Sequence, residues 1–228
     1  MAKLYPSEII FSFDLESSGL HAEVGQPYLL EFAMIPMSLK SMSLIQKPFH
    51  VYLKCPSVDE MKAQGKISDF VLGNQNLMQV AKKAHKEGIG VDEAKDKIIR
   101  YLDEFKIDSN DKNLRPKAVI LSKSTGGLDR RLIGEVFGDP WVEELFTHQM
   151  IDITSNANFV LHAQLGIIET RSPKKLVAHL LGKDDVAHTA LQDAIDMGHV
   201  YLELVKRVSA IRQERDELKR LIEELRES

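Results

Sequence analysis

Ile9-Ile10-Phe11-Ser12-Phe13-Asp14-Leu15-Glu16 runs directly into Ser17-Ser18-Gly19-Leu20. Along it Ile9, Phe11, Phe13 and Leu15 fall on one side of an extended chain, while Ser12, Asp14 and Glu16 alternate on the other. The stretch reads as a strand that ends in two acids. Because Asp14 and Glu16 are two residues apart, both carboxylates project from one face at the strand's carboxyl end. Two adjacent anions are costly unless a cation lies between them. Taken by itself, an acid-x-acid pair more often marks a solvated strand end than a metal site. The apolar strand before this pair and the turn after it give it weight.

Outward from that strand, residues 28–37 and 44–54 are rich in aromatic and aliphatic side chains and are separated by Pro36 and a Ser/Lys turn. They read as two further strands of an antiparallel meander. After residue 57 the pattern changes. Residues 77–87 look helical, and Val91, Ala94, Ile98, Leu102 and Phe105 recur at helical spacing on an amphipathic helix. Residues 118–121 form a short buried strand, followed by the turn Ser124-Thr125-Gly126-Gly127 and a helix beginning near Leu128. Residues 150–153 make another short strand, and 156–165 and 174–181 are helical. Strands in a meander followed by alternating strand and helix predict an α/β fold, a mixed sheet flanked by helices.

A long helix is expected from about Ala190 almost to the C-terminus. In it Val208, Ile211, Arg215, Leu218, Ile222 and Leu225 follow a 4-3 repeat in which Arg215 alone is polar. Such a seam packs either on its own domain or on a partner subunit, and three heptads favour neither. The expected division is a main domain over residues 1–205 and a helical extension over 206–228.

The chain has 228 residues, 43% of them apolar and 28% charged, which fits one folded α/β domain and excludes a disordered chain. No apolar run is long enough to span a bilayer and the first residues lack a signal-peptide pattern, so a cytoplasmic protein with no membrane association is expected. The single Cys55 rules out an internal disulfide and a zinc site built on several thiolates. A net charge of −4 argues against gripping long duplex nucleic acid through many phosphates. It does not argue against a site that binds a short anionic end through metal ions, since the ions supply the local positive charge.

Two further clusters carry chemistry. In His188-Thr189-Ala190-Leu191-Gln192-Asp193, five residues on a helix turn about 500°, so His188 and Asp193 cannot share a helical face. His188 must precede the helix, where it suits a base that approaches bound water; the plainer alternative is a surface histidine capping a helix. Asp129 follows Gly126-Gly127 and precedes Arg130-Arg131. In the first turn of a helix an acid already favours the dipole, so Asp129 gains meaning only in combination.

In combination these pieces resemble the DEDDh family of 3′→5′ exonucleases, with Asp-x-Glu on the first strand, an Asp at a mid-chain helix start and His-x4-Asp near the end. Within it, Phe13-Asp14-Leu15-Glu16-Ser17-Ser18-Gly19-Leu20, Asp129-Arg130-Arg131-Leu132, Ile151-Asp152-Ile153-Thr154-Ser155 and His188 to Asp193 are most similar to oligoribonuclease. The similarity extends from about Ile9 to Val205. It implies a ribonuclease H-like fold with a mixed five-stranded sheet and two divalent cations, Mg²⁺ or Mn²⁺, held by Asp14, Glu16, Asp129 and Asp193. It also implies His188 as general base, Leu20 as a wedge against the terminal bases, substrate contacts at Leu15, Ser17, Gly19 and Ser124, and a homodimer. Hard oxygen ligands are what a two-cation in-line displacement on a phosphodiester requires. The implied substrate is a short single-stranded oligonucleotide, RNA or else DNA, and the product a nucleoside 5′-monophosphate.

Departures accompany the match. Where the family usually has Asn before the mid-chain Asp, this chain has Leu121-Ser122-Lys123-Ser124-Thr125, and the places of an aromatic and a basic residue before the Ile-Asp strand hold His148 and Gln149. The altered loop and the apolar seam motivate a second reading, a binding or assembly module that keeps the fold without turnover. A third is a DNA-directed proofreading or repair exonuclease. Asp152, Asp184, Asp185 and Asp196 are expected to be decoys, as are His179 and His199.

Overall fold

A computed structural model describes residues 9–105, 117–123, 128–148, 150–165, 173–183 and 188–227. In chain order the elements are β1 (Ile9–Ser17), α1 (His21–Val24), β2 (Leu29–Ser38), β3 (Ser43–Leu44), β4 (Phe49–Tyr52), α2 (Val58–Ala63), α3 (Asp69–Gly73), α4 (Gln75–Glu87) and α5 (Val91–Asp103). There follow β5 (Ile120–Ser122), α6 (Leu128–Phe137), α7 (Asp139–Leu145), β6 (Ile151–Asp152), α8 (Ile153–Leu165), α9 (Pro173–Leu181) and α10 (Ala190–Glu227). The expected strands and long helices are all present. Residues 44–54 differ in detail: they form two short strands, β3 and β4, interrupted around Pro48, which has no N–H to give to a ladder.

The sheet runs β3-β2-β1-β5-β6, with β4 also on β2. β3 pairs with Met37 and Ser38 and β4 with Glu31 to Met34, so the two lie end to end along one edge of β2 and the sheet is five strands wide. β1 is antiparallel to β2 and parallel to β5, which makes the sheet mixed, as the sequence predicts.

β1 is buried on both faces, with a core cluster against each. Phe11, Phe13 and Leu15 pack with Phe32, Ile98, Leu102, Leu132 and Phe137 beneath α5 and α6. Rings contact edge to face, Phe11 to Phe105 at 5.5 Å and Phe32 to Phe137 at 5.9 Å between centroids. On the other face Ile10, Ile35, Met37 and Leu121 meet Ala194, Met197 and Val200 of α10. Helix and strand approach closely there because Gly198 has no side chain: a Cβ would lie 2.8 Å from Leu44 Cδ2 and 3.4 Å from Ser12 Cβ. The Ser12 hydroxyl donates to the Ala194 carbonyl at 2.7 Å, satisfying a buried donor and fixing the helix along the strand.

α10 continues well past this contact. Its outer half exposes Val208, Ile211, Leu218, Leu221, Ile222 and Leu225, the last 77% accessible. The seam is therefore largely exposed in the described part of the chain. No helix among the described residues is long and apolar enough to cross a membrane.

Candidate active site

Antiparallel pairing places Asp14 opposite Ala33 and Glu16 opposite Glu31, with a register shift between Glu16 and Ser17 that ends the regular ladder beside the acids. Ser12, Asp14 and Glu16 share the face on which α10 lies. The Gly198 approach and the Ser12 hydrogen bond bring the first turn of α10 over that face, and Asp193 with it. One carboxylate oxygen each from Asp14, Glu16 and Asp193 lie within 4.8 Å of one another. Asp14 and Asp193 are almost wholly buried.

Asp129 stands in the first turn of α6, as expected, but outside that 4.8 Å group. It is close enough to raise the carboxyls of Asp14 and Glu16 by repulsion. Burial pushes Asp129 itself up to about 6 against the pull of Lys123, and the Ser122 hydroxyl faces it without reaching hydrogen-bond geometry. Burial likewise lifts Asp14 well above the carboxylate range and Glu16 to about 8, Lys123 opposing both and the neighbouring acids adding to both.

Lys123 is the residue that the motifs do not single out. β5 runs parallel to β1 with Leu121 beside Ser12. Continuing that register by two residues puts Lys123 beside Asp14, on the same face. Its Nζ lies 3.0 Å from Asp14 Oδ2 and 2.6 Å from Asp193 Oδ2. Although burial disfavours the ammonium, Asp14, Asp193 and Glu16 together hold its pKa above the ordinary lysine value.

Glu31 is a second such residue. Only 1% exposed, it accepts from the Ala190 backbone N–H at 2.8 Å and lies 2.6 Å from His50 Nε2. A buried carboxylate at the N-terminus of α10 complements the helix dipole. It also ties the start of that helix to the strand position facing Glu16. Its signal in the sequence is a single acid inside the apolar run Leu29-Leu30-Glu31-Phe32-Ala33.

His188 precedes α10 by two residues, and its φ of 51° takes it off the helical path. Its ring meets that of Phe70 on α3 edge to face, 6.1 Å between centroids. Phe70 is 60% exposed and Leu20 51% exposed, two large apolar side chains in solvent. The chain between them is knitted by hydrogen bonds, Ser68 N–H to the Ser18 carbonyl at 2.8 Å and the Ser17 hydroxyl to the Gly19 carbonyl at 2.9 Å. Gly19 allows this approach, since a Cβ there would sit 2.9 Å from Ser68 Cβ.

Leu15 has its side chain in the core on the opposite face, which leaves only its backbone free to meet a substrate. Ser124, the whole turn 124–127, Gln149, Asp184 and Asp185 lie outside the described residues. Asp152 accepts from the Ser155 N–H within its own turn, and Asp196 is paired with Lys183 and Gln192, so both have structural roles. A cleft of about 720 Å³ lined by His21, Arg131 and Glu135 holds none of the clustered acids.

The donor set fits divalent cations. Glu16 Oε1 and Asp193 Oδ1 are buried without a hydrogen-bond partner, a costly state for carboxylate oxygens unless a cation meets them.

No protein-family model and no curated protein sequence matches the chain. Its fold does match solved structures. The nuclease domain of 3'hExo, a DEDDh family member bound to rAMP, superposes with a TM-score of 0.60 at 13% identity, over 90% of this chain and 94% of that one. Cell-death related nuclease 4 (CRN-4) gives 0.61 at 11% identity, over 90% and 66%. E. coli exonuclease I in complex with a dA16 oligonucleotide gives 0.55 at 16% identity, over 88% of this chain and 41% of that one. The chain spans less than half the length of exonuclease I. Its mixed sheet and flanking helices share the ribonuclease H-like fold of these nucleases.

Proposed function

We propose that this chain is a metal-dependent 3′→5′ exonuclease of the DEDDh family, related to oligoribonuclease, that hydrolyses short single-stranded RNA, or DNA, to nucleoside 5′-monophosphates. The observation that carries this is the convergence of Asp14, Glu16 and Asp193 within 4.8 Å, with unpartnered buried oxygens, in a fold shared with such enzymes. Asp14, Glu16 and Asp193, with Asp129 at the rim, would hold two divalent cations, Mg²⁺ or Mn²⁺. The cations supply Lewis acidity for the attacking and leaving oxygens of an in-line displacement. His188 takes the proton of the attacking water as its oxygen bonds to phosphorus and the bond to the 3′-oxygen breaks; the leaving oxygen then gains a proton. A preformed left-handed backbone and the Phe70 ring hold the imidazole outside the helix. Leu20 and Phe70 flank the terminal base as apolar surfaces, a use that accounts for their exposure. Residues 1–205 form the catalytic domain and 206–228 an extension whose seam pairs two copies into a homodimer.

Ladders of RNA and DNA of one sequence, labelled at the 5′ end and incubated with Mg²⁺ or Mn²⁺, test this. Progressive shortening with release of mononucleotides is the expected result, and the ladder that disappears faster identifies the sugar. Intact ladders under both metals would contradict it. One observation favours a non-catalytic module, the Lys123 ammonium already seated among the acids. Mononucleotide release removes that reading.

A further inference from the structure

Asp14 and Asp193 are buried together, and both carboxyl groups lie beside that of Glu16. Without a counter-ion such a cluster repels itself in a low dielectric. Lys123 supplies one, with its Nζ bridging Asp14 Oδ2 at 3.0 Å and Asp193 Oδ2 at 2.6 Å. The second oxygen of Asp193 and Oε1 of Glu16 stay bare. The cluster is thus half neutralised, one cationic position filled by the protein and the remaining oxygens open.

Lys123 directly follows β5, and its backbone carbonyl accepts from the Thr154 hydroxyl at 2.5 Å. Only its side chain is free to leave. That side chain is 24% exposed, so a flexible four-carbon stem has a way to water. Divalent ions of this class sit about 2.0–2.6 Å from carboxylate oxygens. A cation at that distance from the two oxygens that Lys123 now bridges would compete with the ammonium for the same lone pairs and repel it.

We propose that Lys123 is a resident counter-ion that occupies one of the two cation positions in the metal-free protein and must be displaced before a divalent ion can bind between Asp14 and Asp193. This rests on the metal-centre reading above and adds a regulation to it: the first ion enters against Glu16 and Asp193 Oδ1, the second only by exchange with the ammonium. Part of the cluster's negative charge is thereby balanced without metal, and full loading acquires a threshold in metal concentration.

The test is calorimetric titration of Mn²⁺ alone into the metal-stripped full-length protein, comparing the parent with Lys123→Met, which keeps the length and removes the charge. The weaker Mn²⁺ site is expected to tighten by about tenfold or more in the variant. In chelator, the variant should melt below the parent and regain the difference at saturating Mn²⁺. Unchanged affinity and stoichiometry, or weaker binding, would overturn the proposal, because Lys123 would then be a bystander or a support for the metal. Should Lys123→Met fail to fold, Lys123→Gln and a Mn²⁺-soaked crystal of the parent serve instead. In that crystal Nζ must have left Asp193 Oδ2, and two ions bound with Nζ still at hydrogen-bond distance would contradict the inference. If neither parent nor variant binds Mn²⁺, the metal-centre reading itself fails, an outcome distinct from unchanged binding.

Discussion

Glu16 faces Glu31 across the β1–β2 ladder, and the two acids sit in opposite surroundings. Glu31 has His50 and a helix N-terminus; Glu16 has an unpartnered oxygen and burial that lifts its carboxyl from 4.5 to about 8. The unfolded chain releases this proton near its ordinary value, whereas the folded chain keeps it until about pH 8. Across that window the folded state binds more protons, so stability is greatest below the ordinary value and is lost as pH rises toward 8. Metal-free protein should therefore melt lower at pH 8 than at pH 5, by on the order of 5 °C, and saturating Mn²⁺ should abolish the difference. Differential scanning calorimetry with and without chelator reads this directly; a metal-free melting temperature that rises over the same interval would be inconsistent with it. His188 makes a separate prediction. His188→Ala should lower kcat by roughly 10²–10⁴-fold with little change in KM, measured on a short oligonucleotide, since a general base acts on the transition state and not on binding.

At the scale of elements, the site depends on how closely α10 approaches β1. Gly198 and Ser12 set that distance, and Asp193 lies five residues before Gly198 on the same helix. Gly198→Leu would overfill the contact, cost roughly 1–3 kcal/mol in denaturant unfolding, and reduce activity at temperatures where the variant is still folded. Full activity in a folded Gly198→Leu would break the link between packing and site. The same elements show what is legible in the sequence. β1, α4, α5 and α10 are readable because one side of each is apolar with a strict period. The short helices α2 and α3 are capped by Ser57 and Ser68, whose hydroxyls accept from Glu60 and Val71 N–H, and have too few turns to display a period. Asp14, Glu16 and Asp193 are readable because strand alternation and a helix start bring them forward. Lys123 is not, because its place depends on a parallel register between strands separated by about a hundred residues. Phe70 is hidden for another reason, since in Asp69-Phe70-Val71-Leu72 nothing distinguishes an exposed ring from a core one.

On the scale of the whole molecule, a continuous helix of 38 residues joins the acid cluster to an exposed apolar seam, roughly 57 Å from end to end at 1.5 Å per residue. If that seam pairs two copies, Leu218→Glu combined with Ile222→Glu should halve the mass seen by light scattering. The melting temperature of each chain's core should stay nearly unchanged, because both side chains are exposed within the chain. A parent that is already monomeric at micromolar concentration would exclude the homodimer. The central claim concerns the acids and is independent of assembly. Its most direct measurement is the rate at which Asp193→Asn, compared with the parent, shortens a 5′-labelled oligonucleotide in saturating Mn²⁺. Asparagine keeps the shape and removes the charge, so a loss of about 10³-fold or more is predicted. A variant that cleaves within a few-fold of the parent would show that these carboxylates do not carry the reaction.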